Sequence, residues 1–351
     1  MELPPLLLNI LINFAIGLII TLSLNIEVGY AGIPQFGRVL AVLTGAIVAG
    51  AIPGRILAAL TGQPYGADYA YHLINYKLVA KINTVLAKNP LLSIAMLIFT
   101  LIIAAILGGF IGYVTAYPAM RLKEAYLGIT LLAFGDALQI IAWNYQPLVG
   151  ATQGVLVPDP FRFIGAGSAR FISATFIILG ISIFVFLYVE KICKSPFGRV
   201  LKAMRDSEVA ARAYGKDIPK LRAQSLIIGS ALASIGGALW AFYTGSMKAI
   251  TYNRLIWTFW PWAYMMLGGI GNNVGVLVGV LVFSITRTLI YTYKDLIATI
   301  ILIKPVWLEY ILVGLAIILI MLFKPQGLLP EKPALSLSRS KIEEIRKSVK
   351  S

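Results

Sequence analysis

What constrains this chain most is a recurrence of uncharged apolar runs about twenty residues long. Residues 6–26, 91–116, 171–189 and 225–242 are each long enough, at ~1.5 Å of helical rise per residue, to cross a hydrocarbon layer ~30 Å thick. Backbone inside such a layer has no water to bond to, so each run must satisfy its own amides as a helix. Hydrophobic residues make up 59% and charged residues 13% of 351 positions, which leaves little room for a separate soluble domain. At ~20 residues per span plus turns, the expected fold is all-α, a polytopic membrane protein with about eight to ten transmembrane or re-entrant helices. Residues 1–330 read as one transmembrane domain, and residues 331–351 as a basic, polar cytoplasmic tail.

Between two of the runs lies the most structured polar stretch, residues 195–222. Ser195 followed by Pro196 has the form of a helix start with proline in the first turn, and predicts a helix to about Arg205. Ser207 can cap a second short helix, with Glu208 in its positive first turn, and Gly215 suits the left-handed residue that closes it. Asp217 then caps a third helix, with Pro219 in its first turn, that enters the membrane. Lys191, Lys194, Arg199, Lys202, Arg205, Arg212, Lys216, Lys220 and Arg222 predict that the stretch lies on the cytoplasmic side. Topology alone needs only those charges. Paired caps, a small Ala210-Ala211 step and a timed glycine predict a compact docking knob.

In chain order, the first run is interrupted by Asn9, Asn13 and Asn25, near helical spacing, which predicts hydrogen bonds to a neighbouring helix. No basic region precedes it, so it is expected to stay as a span and not to be cleaved as a signal. Gly29-Tyr30-Ala31-Gly32 breaks it, and Pro34 delays resumption. Residues 39–60 form a second run, with Gly50 and Pro53-Gly54-Arg55 as interruptions, and residues 61–90 read as an extracytoplasmic loop with interfacial tyrosines. Residues 126–143 carry Asp136, Gln139 and Trp143 on one face. An ionisable group at that depth is either a buried pair that fixes helix register or part of a polar path, with Arg38 or Arg287 as candidate partners. Residues 144–168, rich in Pro and Gly, predict an outer loop. Gly229, Ser230, Ala233, Ser234, Gly236 and Gly237 form a stripe for close helix packing. Leu267-Gly268-Gly269-Ile270-Gly271-Asn272 predicts a hairpin or broken helix between two apolar arms, and Gly268, Gly269 and Gly271 join Asp136 and Gln139 as candidate path residues.

The net charge of +15 could suit nucleic acid, but the basic residues sit beside apolar runs and in the tail, where topology and anionic lipid account for them. One cysteine, Cys193, excludes an internal disulfide, and one histidine, His72, excludes a His pair for a metal. No catalytic residue, metal site or cofactor is expected, and no phosphate-binding Gly-x-x-x-x-Gly-Lys-Ser/Thr loop is present.

Glu208-Val209-Ala210-Ala211-Arg212-Ala213-Tyr214-Gly215 resembles the Glu-Ala-Ala…Gly coupling loop of ABC importer permeases. With Ser195-Pro196-Phe197-Gly198-Arg199, Met120-Arg121-Leu122-Lys123, the Leu267–Asn272 glycine motif and Phe323-Lys324-Pro325-Gln326-Gly327-Leu328-Leu329, the chain is similar to branched-chain amino acid permeases, the larger of their two types. That family usually continues after the first span with Gly-Gln-x-Ser-Leu-Gly-His, where this chain has Gly32-Ile33-Pro34-Gln35-Phe36-Gly37-Arg38. The resemblance implies a subunit of the cytoplasmic membrane that does no chemistry itself. Its partners would be a second related permease, two ATP-binding subunits and an extracytoplasmic binding protein. Contact with the ATPase would fall to Arg205, Glu208, Ala210, Ala211 and Gly215. The implied cargo is leucine, isoleucine or valine, with urea and short amides carried by relatives. An ion-coupled transporter would need several acidic groups in the membrane, and among these residues only Asp136 stands out. A membrane enzyme would need clusters of catalytic groups that the sequence lacks.

Overall fold

The structure, a computed structural model, describes residues 5–122, 124–293 and 305–331. Described in order, the helices are α1 (Pro5–Asn25), α2 (Arg38–Leu60), α3 (His72–Lys88), α4 (Pro90–Arg121), α5 (Glu124–Asn144), α6 (Gln146–Val149), α7 (Ser168–Lys194), α8 (Pro196–Asp206), α9 (Glu208–Ala213), α10 (Ile218–Thr244), α11 (Trp260–Gly268) and α12 (Asn273–Thr292), followed by a last helix, Pro305–Phe323. Seven of the described helices are long and apolar enough to cross a membrane. The short α11 and the last helix add to them, in keeping with the all-α polytopic expectation.

Helix α10 is the centre of the packing. Its small-residue stripe lets α2 and α4 approach until backbones touch, so that a methyl group on Gly45 would meet the Ser234 carbonyl and one on Gly237 the Val42 carbonyl. The predicted stripe is therefore a packing surface, with Gly229, Ser230, Ala233, Ser234, Gly236 and Gly237 all buried.

The spans gather the loops at two ends. At one end lie α8, α9, the turn after α11 and residues 324–331. At the other lie α3, α6, residues 150–167 and residues 245–254, tied by a two-residue antiparallel pair, Val155 to Met247 and Leu156 to Ser246. Arg170 fastens this second end, with Nε 2.8 Å from Asp159 and both Nη atoms 2.7 Å from the Tyr243 and Phe242 carbonyls. The first residues of α1 lie at this end, and α1 runs from it towards α8.

Two expectations need correction. Residues 61–90 are not a plain loop: α3 fills most of them, with Asn75, Leu78, Val79, Ile82 and Leu86 on its buried side. That spacing is the three- and four-residue repeat of an amphipathic helix. Helix α2 is not interrupted at Gly50 or Pro53, because its neighbours pack around it and it continues unbroken to Leu60. The break expected over residues 29–32 is present: α1 widens into a π-turn over Ile26–Tyr30 and breaks at Ala31-Gly32, where Gly32 takes φ 71°. Lys123 and residues 332–351, all but the first residue of the expected tail, lie outside the described residues.

Candidate coupling site

The knob folds as its local signals direct. Pro196 opens α8, the Ser207 hydroxyl accepts from the Ala210 amide at 3.2 Å, and the Asp217 carboxylate accepts from the Lys220 amide at 3.1 Å. Gly215 takes φ 72° after α9, with open space where a side chain would stand. Ser195 departs from its expected role. It occupies the cap position, but its hydroxyl donates backwards to the Ile192 carbonyl at 2.6 Å.

Helix α8 lays Gly198, Leu201 and Met204 inward and seats against the end of α1. Arg205 carries the junction. Its guanidinium donates to the Gly29 carbonyl and pairs with Glu331 at 2.8 Å and Asp206 at 3.0 Å. Partial burial works against the charge, and the two carboxylates outweigh it, holding the guanidinium above its usual value. Lys202 adds a 2.6 Å pair to Glu331 and lies 4.8 Å from the centre of the Tyr30 ring.

The glycine turn completes the same junction. The Gly271 amide donates to Asn25 Oδ1 at 2.9 Å, and the Asn25 amide donates to Asn273 Oδ1 at 2.9 Å. Asn273 in turn donates to Glu190 Oε2 at 2.8 Å. The cross-helix bonding expected of Asn25 is thereby met, and Asn13 reaches Thr288 at 3.4 Å. Gly269 and Gly271 have φ of 127° and 77°, conformations that side chains rarely adopt. Leu328 and Leu329 donate to the Leu267 and Gly268 carbonyls at 2.8 and 3.0 Å, so the chain after the last helix is stitched to this turn.

Above the junction, a buried ion pair joins the turn that follows α1 to the start of α2. Arg38 Nη2 bonds Glu27 Oε2 with both side chains fully buried. The pair spans the break between α1 and α2, and non-helical backbone over residues 31–37 is tolerated because protein surrounds it. Phe36 stacks on Trp262 at 4.8 Å and 8°, and the Gln35 carbonyl accepts from the Trp262 indole at 3.0 Å.

Of the residues expected to meet an ATPase, Ala210 and Gly215 are exposed and Ala211 is buried, 4% accessible, within the knob. Glu208 is paired with Arg222, which also donates to the Ala119 carbonyl at the end of α4 at 2.8 Å. Ala211 and Glu208 therefore brace the knob from within. Val209 and Tyr214, 82% and 84% exposed, were not singled out, although two large apolar side chains in a basic loop are themselves a signal.

The expected path residues separate. Asp136 pairs with Arg254 at 3.2 Å, not with Arg38 or Arg287, and both partners are substantially exposed. Gln139 donates to the Ala249 carbonyl at 3.2 Å. Gly268, Gly269 and Gly271 belong to the junction just described. None of the five lines the cavity of about 250 Å³ between α1, α10, α11 and α12. Nor is Asp136 the only acidic group within the candidate spans, since Glu27 and Glu190 also lie in them.

Residues 6–321 match the sequence family described as "Branched-chain amino acid transport system / permease component". The chain is 43% identical, over 93% of its length and 94% of the relative's, to a probable branched-chain amino acid transport permease protein LivM of Methanocaldococcus jannaschii. It is 24% identical to the high-affinity permease LivM of Escherichia coli, over 67% of this chain and 58% of that one. It is 24% identical to the permease LivH of Salmonella typhimurium, over 66% and 84%. No solved structure matches the chain.

Proposed function

The chain belongs to the permease family of branched-chain amino acid transport systems, and from that premise we propose that it forms one half of an importer pore for leucine, isoleucine and valine. It is a multi-pass protein of the cell membrane. A LivH-type chain supplies the other half. Two ATP-binding subunits dock on α8 and α9, and a binding protein delivers cargo to the opposite end.

The observation that carries the reading is the Arg205 junction. Closure of the ATPases displaces α9, and α8 moves with it because Ser207 alone separates the two helices. Arg205 then passes the displacement to Gly29 at the broken end of α1 and, through Asn25, to the turn that joins α11 to α12. A coupling of this kind is a free-energy difference between two states, typically ~1–3 kcal/mol, and it requires a stiff connector. The α1 break and the glycine turn supply the hinges on either side of that connector.

The test is uptake by the four-subunit complex in liposomes, with ATP enclosed and loaded binding protein outside. Labelled leucine should accumulate only with both. Uptake of urea but not leucine, or uptake driven by an ion gradient without ATP, would overturn the reading.

A further inference from the structure

The end opposite the knob is basic, although Lys and Arg beside spans normally gather on the cytoplasmic side. Among the described residues, its exposed charges outside ion pairs are Lys77, Lys81, Lys88, Arg162 and Lys248, against Asp68. Topology gives no reason for them to be there. Three of them share helix α3, which contains no Asp or Glu. At ~100° per residue, Lys77, Lys81 and Lys88 fall within ~40° of one another around the helix. Asn75, Val79 and Leu86 occupy the opposite, buried side. That side rests on the ends of α2 and α4, where Leu78, Ile82 and Leu86 pack with Leu57, Ala58 and Met96. It is also pinned to the neighbouring loop. Asn75 and Asn83 accept through their Oδ1 atoms from the Leu156 and Asp159 amides at 2.7 and 2.9 Å. The Ser93 hydroxyl donates to the Leu86 carbonyl at 2.9 Å, which fixes the turn into α4. The lysine stripe therefore points away from the body on a helix held at several places along its length.

We propose that the lysine stripe of α3 is a docking surface for an acidic face of the binding protein that delivers cargo. The proposal rests on the importer reading above and names the surface and the chemistry by which that partner is met. Charge complementarity selects the partner. Among the described residues none of the three lysines pairs with a carboxylate, and Lys81 has only the Gln63 amide oxygen at 3.4 Å. Along the helix the three stand over ~16 Å, at ~1.5 Å per residue, which matches a patch of a protein surface and not a single small anion. Arg162 and Lys248 add to the same field. Exposed charges of this kind speed encounter and fix register while holding the partner weakly. A delivery protein that must leave after each cycle needs that combination. The buried side of α3 rests on span ends and a loop, so its opposite side faces water and not lipid.

The test uses the complete complex in phosphatidylcholine liposomes, with ATP enclosed and leucine-loaded binding protein titrated outside. The concentration that half-maximally stimulates ATP hydrolysis should rise about tenfold in the variant that combines Lys77→Glu, Lys81→Glu and Lys88→Glu. Hydrolysis at saturation should stay near wild type, a split that damage to the fold would not give. Replacing the same three lysines by arginine should leave the titration unchanged. Raising salt from about 0.05 to about 0.5 M should weaken the wild-type response and affect the glutamate variant far less. If that variant fails to assemble, Lys81→Glu alone decides, with a shift of about threefold expected. An unchanged half-maximal concentration in the assembled variant would overturn the docking surface and leave the importer reading standing. A shift that appears only when phosphatidylglycerol is added would assign the stripe to anionic lipid and overturn it as well. Absence of any stimulation of the wild-type complex, together with absence of leucine uptake, would overturn the importer reading and this surface with it.

Discussion

Arg205, in the first helix of the knob, donates to the backbone carbonyl of Gly29, which precedes it by 176 residues. The bond joins the one polar element expected to meet a partner to the point where α1 loses its helix. Glu331 holds the same guanidinium from the other side at 2.8 Å, so the segment after the last helix shares the joint. A force on the knob thus reaches α1, α11 and α12 through a few short, charged contacts.

The tip of the knob should carry the affinity for the ATPase. Val209 and Tyr214 are 82% and 84% exposed among the described residues, and buried aromatic anchors dominate most interfaces. Tyr214→Ala and Val209→Asp should each reduce co-purification of the ATPase from detergent about tenfold or more. The melting temperature of the permease should stay put, because neither residue is packed within it. Equal recovery of ATPase would place the contact elsewhere.

The Glu27–Arg38 pair should behave asymmetrically. Arg38→Met leaves a buried carboxylate without its partner, a change that costs ~3–5 kcal/mol. The double variant with Glu27→Gln removes the unpaired charge and should recover most of the loss. Thermal unfolding in detergent distinguishes them. A double variant no more stable than Arg38→Met would mean that the pair is not the source of the cost.

Close packing around α10 gives a third expectation. Gly45→Ala drives a methyl into the Ser234 carbonyl and should abolish folded protein or cost several kcal/mol, ~1–3 or more. Gly180→Ala meets nothing within 4 Å and should be neutral or stabilising by up to ~1 kcal/mol. Yields after size-exclusion chromatography read both outcomes, and equal yields would contradict the packing account.

Asp136 should matter little to transport. Its pair with Arg254 is part-exposed, and such pairs contribute ~0–1 kcal/mol. Asp136→Asn should assemble and import leucine within about twofold of wild type. A stable complex whose uptake falls about tenfold would move Asp136 into the path.

Much of this architecture was legible in the sequence because its signals are local. The caps at Ser207 and Asp217 and the closing glycine at 215 act within a few residues of themselves, so the knob could be drawn from its own stretch. The small residues of α10 announced close packing through their composition alone. Partners across the fold could not be read in that way. Asp136 finds Arg254, and Glu27 finds Arg38, only through the relative placement of broken and packed helices. Helix α3 was missed although its repeat was present, because scattered lysines and tyrosines lowered its apolarity to that of a loop. Ala211 looked like a docking surface by its small size, yet that size serves packing inside the knob.

The most direct measurement is the number of ATP molecules hydrolysed per leucine imported by a complex carrying Arg205→Lys. Lysine keeps the positive charge facing Glu331 but loses the fork that reaches the Gly29 carbonyl. If this joint transmits the stroke, the complex assembles, hydrolysis continues, and the ratio rises at least about fivefold over wild type. An assembled complex that imports leucine at the wild-type ratio would show that the stroke travels by another route.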